Sequence, residues 1–195
     1  MSSLNSYWLA MDRTPGASCL RWSPQDIANA FWALATLGYG SEKLFEKVCR
    51  CYPDLPIHTF TAQNCGNILW ALARCGRGLE LQGLAEAVAQ HVSQLQCDEQ
   101  SLSSCVWALA VLRQRMLSLP LLRSVRGEEL KSFSPESLCV LAWTCGLLGV
   151  TEHPTGLLAS ALEEKSGDLS ISQLTSATTA FARIWPSLRK RLTFT

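Results

Sequence analysis

Apolar residues recur along this chain at helical spacing, and the pattern itself repeats. Residues 64–76, NCGNILWALARCG, set a tryptophan inside an apolar run, with amides before it and an arginine and a glycine after it. The same order occurs at 26–38, DIANAFWALATLG, and at 101–112, SLSSCVWALAVL. A looser copy is 137–149, SLCVLAWTCGLLG. A fainter one is 173–184, QLTSATTAFARI, with Thr179 where the others have tryptophan. Trp32, Trp70, Trp107, Trp143 and Thr179 stand 38, 37, 36 and 36 residues apart. Self-similarity at a fixed period of this size is the mark of stacked supersecondary units.

Within each copy, the local signals predict two helices. Ser23-Pro24-Gln25-Asp26 combines a capping hydroxyl, proline at the first helical position and an acid in the first turn. Ile27, Ala30, Phe31, Leu34 and Leu37 then mark one buried face, and Gly38 a stop. Further first helices are expected from Thr61, Asp98, Ser134-Pro135-Glu136 and Ser170. Second helices are expected over 41–52, 79–95, 120–130 and 154–165; after the fifth first helix, Pro186 and 188–192 leave no room for a full partner. The expected fold is all-α, a right-handed α-solenoid of about five 36–38-residue helix–turn–helix repeats, near 22–59, 60–96, 97–132, 133–168 and 169–195. The last repeat is incomplete, so the chain reads as a fragment or shortened product. Residues 1–21 do not fit the repeat and read as an irregular N-terminal segment, with only a weak echo of a transit peptide.

Two columns of small residues flank the tryptophans. Ala33, Ala71, Ala108, Thr144 and Ala180 follow by one position; Ala35, Ala73, Ala110, Gly146 and Ala182 follow by three. Small side chains let neighbouring helices approach closely, so Trp32, Trp70, Trp107 and Trp143 are expected to wedge into the repeat core. A base-stacking ladder is the alternative use of such a column. Cys65, Cys105, Cys145 and Cys75 fall in columns otherwise held by apolar residues, and read as small buried hydrophobes. Nine cysteines are an odd number, and Cys49 with Cys51 forms a lone CxC without a second half at zinc-site spacing. No metal site or cofactor is expected.

The totals narrow the function. Of 195 residues 48% are hydrophobic, enough for a core, yet no apolar run reaches the roughly 18 residues of a membrane span. Lys+Arg is 17 against Asp+Glu 16, a net charge of +1, so no global basic excess advertises nucleic-acid binding. His58, His91 and His153 share no repeat column, and no phosphate loop, HExxH or GxSxG motif occurs. The chain is expected to be non-enzymatic.

Binding chemistry is sought in columns that stay polar. Asp26, Asn64, Ser101, Ser137 and Gln173 stand six before the tryptophan column; Asn29, Asn67, Ser104 and Ser176 stand three before it, with Val140 in the fourth copy; Arg74 and Arg183 stand four after it. Together with the position one after tryptophan, these offsets predict one stripe along the first helix. Its amides and hydroxyls can donate and accept at a base edge. They equally suit a solvent face, with the first column serving as capping chemistry. Arginines at 74, 77, 113, 115, 123, 126 and 183, with Arg189, Lys190 and Arg191, could supply phosphate contacts.

SPQDIANAFWALATLGY, FTAQNCGNILWALARCG and DEQSLSSCVWALAVL resemble the octatricopeptide-type helical repeat, whose signature reads roughly PQ-x-L-x-N-x-x-W-A-L-A-x-L-G. The segments are also similar to repeats of FAST-kinase-like and RAP-domain proteins and of helical-repeat subunits of mitochondrial RNA-editing complexes. The resemblance spans about residues 22–185. It implies binding of single-stranded organellar RNA, in a mitochondrion or alternatively a chloroplast, to promote processing, stability or translation. It also implies other proteins of a ribonucleoprotein complex as partners. Members with a catalytic module carry it outside the repeats. The competing class is a protein-interaction scaffold; a basic concave face favours RNA, and an apolar or acidic groove favours a protein.

Overall fold

The computed structural model describes residues 22–38, 55–76 and 81–192, the last eight as backbone only. The expected irregular segment 1–21, the second helix over 41–52 and the pair Cys49 and Cys51 lie outside these residues. All regular structure among the described residues is helical: α1 (Pro24–Leu37), α2 (Ala62–Arg74), α3 (Gln82–Val92), α4 (Glu99–Val111), α5 (Arg115–Ser124), α6 (Gly127–Leu130), α7 (Pro135–Leu148), α8 (Thr155–Glu164) and α9 (Ile171–Leu192). Short 3-10 turns lie at Ile57–Thr59 and Ser166–Asp168.

The tryptophan-bearing helices begin where the capping residues say they should. Ser23 accepts from the Asp26 N–H at 3.2 Å, and Asp26 accepts back from the Ser23 N–H at 3.1 Å. Thr61 and Asn64 repeat this reciprocal arrangement at 3.2 and 3.1 Å, satisfying donors that a helix start otherwise leaves open. Asp98 caps Ser101, Ser134 caps Ser137 and Ser170 caps Gln173. At the other end, six residues after tryptophan, Gly38, Gly76 and Gly149 take φ of 66°, 68° and 64°. The third copy has Arg113 there, with φ 60°, a left-handed conformation that an L side chain resists.

α1, α2, α4, α7 and α9 pack side by side in one layer. Their direction is the same throughout. Asn64 Nδ2 donates to Gln25 at 3.0 Å and the Ser134 N–H donates to Glu99 at 2.7 Å, each joining neighbouring N-terminal ends. The Cys139 thiol reaches the Gln173 carbonyl at 3.6 Å. α3, α5 and α8 pack beneath α2, α4 and α7. Leu69, Leu72, Leu84, Val88, Leu109, Leu122, Leu141 and Leu158 lie buried in the core. Of the apolar face expected on α1, Ile27, Phe31 and Leu34 are buried and Ala30 half-buried, but Leu37 is 60% exposed.

Two helix bounds differ from expectation. The second helix of the third unit starts at Arg115, carries Pro120 inside it and stops before extended Val125; α6 follows as a separate turn. Pro120, expected at the helix N-terminus, sits instead in the second turn and forfeits one backbone bond there. α9 continues through Pro186 to Leu192 as one helix, rather than breaking for a second.

Candidate nucleic-acid interface

The inner first-layer helices α2, α4 and α7 are buried on nearly all sides, and what remains open on them is narrow. In α2 the residues not buried between Ala62 and Arg74 are Gln63, Asn67, Trp70 and Arg74. In α4 they include Gln100, Ser104, Trp107 and Val111; in α7, Glu136, Val140, Trp143 and Leu147. Each set stands seven before, three before, at and four after the tryptophan. At 100° per residue these positions lie within about 60° of one another. α1 exposes the same four, Gln25, Asn29, Trp32 and Thr36, together with more of its flank. α9 exposes Ser172, Thr179 and Arg183, with Ser176 half-buried, but also Ile171, Leu174, Thr175, Thr178 and Ala182, so on this outer helix the open surface is broad.

The exposed stripe shares two columns with the expected one and is rotated from it by about 50°, half a residue. Asn64, Ser101 and Ser137 are buried. Asp26 and Asn64 complete capping boxes, the Ser101 and Ser137 amides are capped by Asp98 and Ser134, and Gln173 accepts from the Ser170 N–H at 2.8 Å. The column six before tryptophan is therefore capping chemistry, and hydrogen bonds from Ser23 hold the Asp26 carboxyl below its usual range. Asn29, Asn67, Ser104 and Ser176 do reach the surface, as do Arg74 and Arg183. Sequence reasoning missed the column Gln25, Gln63, Gln100, Glu136 and Ser172. Its signal was the glutamine after proline in the repeat signature. Gln25 donates to Asn29 at 2.8 Å, so the two polar columns of the stripe touch on α1.

The tryptophans are only partly core: Trp70 and Trp107 pack against it from its edge. Trp32 is 47% exposed, and Trp70, Trp107 and Trp143 are half-buried at the edge of the core. The small columns take more of the packing role: Ala71, Ala108, Thr144 and Ala180 are fully covered and Ala35, Ala73 and Ala110 buried, while Ala33 is half-buried and Ala182 exposed. With alanine at the seam, the indole one residue back is turned outward.

Two grooves run between these indoles. One, of about 660 Å³, is lined by Trp70 and Trp107 with Gln100, Ser104 and Glu136. The other, of about 290 Å³, is lined by Trp107 and Trp143 with Glu136, Val140 and Ser176. Asp98 and Glu99 also border the larger groove, and no described lysine or arginine lines either. Asp98 accepts from the Ser101 N–H at 2.7 Å. Burial works to raise the Glu99 carboxyl, but hydrogen bonds from Ser134 and Ser137 and the Lys165 charge outweigh it, so it titrates below its usual range.

The six described cysteines form no comparable site. Cys65, Cys105 and Cys145 are buried and Cys75 half-buried; burial pushes the Cys65 thiol up to about 12 and the Cys145 thiol to about 11. Among the described residues no group of three or more His, Cys, Asp or Glu could hold a metal ion, and no helix is long and apolar enough to cross a membrane. No family model and no curated protein matches this chain.

Proposed function

We propose that this chain is a right-handed α-solenoid of about five octatricopeptide-like repeats that binds single-stranded RNA, without catalysis, in organellar RNA processing, stability or translation. A mitochondrion is the compartment favoured by the resemblance, with a chloroplast as the alternative. The observation that carries the RNA reading is the outward stripe, with its amide or hydroxyl groups, one indole on each of α1, α2, α4 and α7, and an arginine on α2 and α9. Bases stack on indoles in a sequence-tolerant way, worth about 1–3 kcal/mol each. Amides and hydroxyls read their edges, and arginines take the phosphates.

A second reading, a scaffold for a basic protein segment, is favoured by the carboxylates bordering the grooves. The test is binding of a mixed single-stranded RNA pool at low and moderate salt, with Trp70→Ala, Asn67→Ala and Arg74→Ala variants alongside. Binding that weakens with salt, drops about tenfold in Trp70→Ala and loses part of its salt dependence in Arg74→Ala supports the RNA reading. A folded chain that binds no RNA at low salt rejects it.

A further inference from the structure

We infer that the stripe of α7 forms a guanine-selective position, with Glu136 as the residue that reads the base. The inference rests on the RNA reading above. Glu136 stands where α1, α2 and α4 carry glutamine, and it lines both grooves around Trp107. It has no hydrogen-bond or ion-pair partner among the described residues, whereas Asp98 and Glu99 are held by helix caps. The next stripe position is apolar Val140, so on α7 the carboxylate alone supplies polar recognition alongside the indole of Trp143.

A glutamine amide carries both a donor and an acceptor, and can satisfy more than one base. A carboxylate only accepts. On the Watson–Crick edge, guanine alone offers two adjacent N–H donors, N1–H and N2–H, which two carboxylate oxygens meet in parallel. Adenine and cytosine place a ring-nitrogen lone pair beside the amino group, and uracil flanks its single N–H with two carbonyls. Each of these sets a lone pair against the carboxylate and leaves it part-paired, which is how a hydrogen-bonding site rejects an analogue. The negative charge of Glu136 is compatible with RNA because the cations stand at the other end of the stripe. Eleven residues separate the glutamine–glutamate column from the Arg74 and Arg183 column, about 16 Å along the helix. A strand with its phosphates on the arginine side points its bases across the indoles toward Glu136.

The test uses the full chain and fluorescence anisotropy with short oligouridines carrying one central guanosine, adenosine, cytidine or inosine; inosine lacks the 2-amino group. The guanosine oligomer is expected to bind about tenfold tighter than the adenosine and cytidine ones, with inosine between. Glu136→Gln is expected to erase that advantage while binding plain oligouridine at least as tightly, since a charge repelling phosphate is gone. Equal affinity for all four, with salt-dependent binding retained, overturns the guanine assignment and leaves the RNA reading standing. No RNA binding by a folded chain overturns both. Capture of an arginine-rich peptide that Glu136→Gln abolishes, with no RNA bound, assigns the grooves to a protein partner instead.

Discussion

Gly66 in α2 and Gly146 in α7 both face the next helix of the layer, yet the seams they face make opposite demands. A Cβ on Gly146 would lie 2.8 Å from both the Cα and the carbonyl oxygen of Ala180, and 3.0 Å from its Cβ. A Cβ on Gly66 would lie 3.6 Å from the Ser101 carbonyl and the Ser104 Cβ, and 3.7 Å from the Cys105 sulfur, which is ordinary contact. The α7/α9 seam is closed backbone against backbone, and glycine is a condition of it. The α2/α4 seam has room for a methyl group, and Ala28, Ser103 and Cys139 hold the equivalent buried position in other units. Residues that look alike in a repeat therefore carry unequal weight, according to how near the neighbouring backbone comes.

Gly146→Val is expected to break the contrast most severely, lowering stability by about 3 kcal/mol in urea unfolding followed by circular dichroism, because Ala180 cannot yield without moving its helix. A cost under about 1 kcal/mol would show that the seam relaxes. Asn64→Ala tests the α1/α2 seam, which is joined by a polar side-chain bond. It removes a capping partner and the bond to Gln25, so a loss of about 1–2 kcal/mol is expected by the same measurement. Arg113→Gly acts at the left-handed helix closure that, among the described residues, is not a glycine, and should raise stability by about 1 kcal/mol, visible as a higher urea midpoint. Smallest of all, Gly66→Ala should stabilise by about 0.5–1 kcal/mol, since a helix-interior glycine is relieved without a clash. If Gly66→Ala destabilises instead, the two seams are alike after all.

The helix starts were legible because they are local. Ser23-Pro24 and Ser134-Pro135 announce their helices through hydrogen bonds closed within a turn. The small columns were legible as packing positions: alanines two residues apart lie on opposite sides of a helix, where its two neighbours in the layer close in, and Ala71 and Ala108 are fully buried there. What the chain did not disclose was rotation. Tryptophan flanked by alanines and leucines looks like core, but a rotation of about 50°, half the step between successive residues, is enough to move Trp107 from seam to groove and Ser101 from groove to cap. That angle depends on contacts such as Glu99 to Ser134, which join residues 35 apart, and periodicity along one helix does not contain them. Pro120 misled for a related reason: a helix that loses a single backbone bond can keep it in its second turn when Leu121 and Leu122 beside it are buried.

The common direction of the first-layer helices has an electrical consequence. Peptide dipoles aligned head to tail leave about half a positive charge at each N-terminus and half a negative charge at each C-terminus. Helices that alternate in direction cancel these neighbour by neighbour; α1, α2, α4, α7 and α9 add them. One long margin of the layer is thus positive in its backbone and the other negative. The side chains oppose this, with Asp26, Asp98, Glu99 and Glu136 on the first margin and Arg74 on the second. The layer has a built-in polarity that no rotation about its own plane restores, so an elongated ligand with unlike sides lies across it one way round.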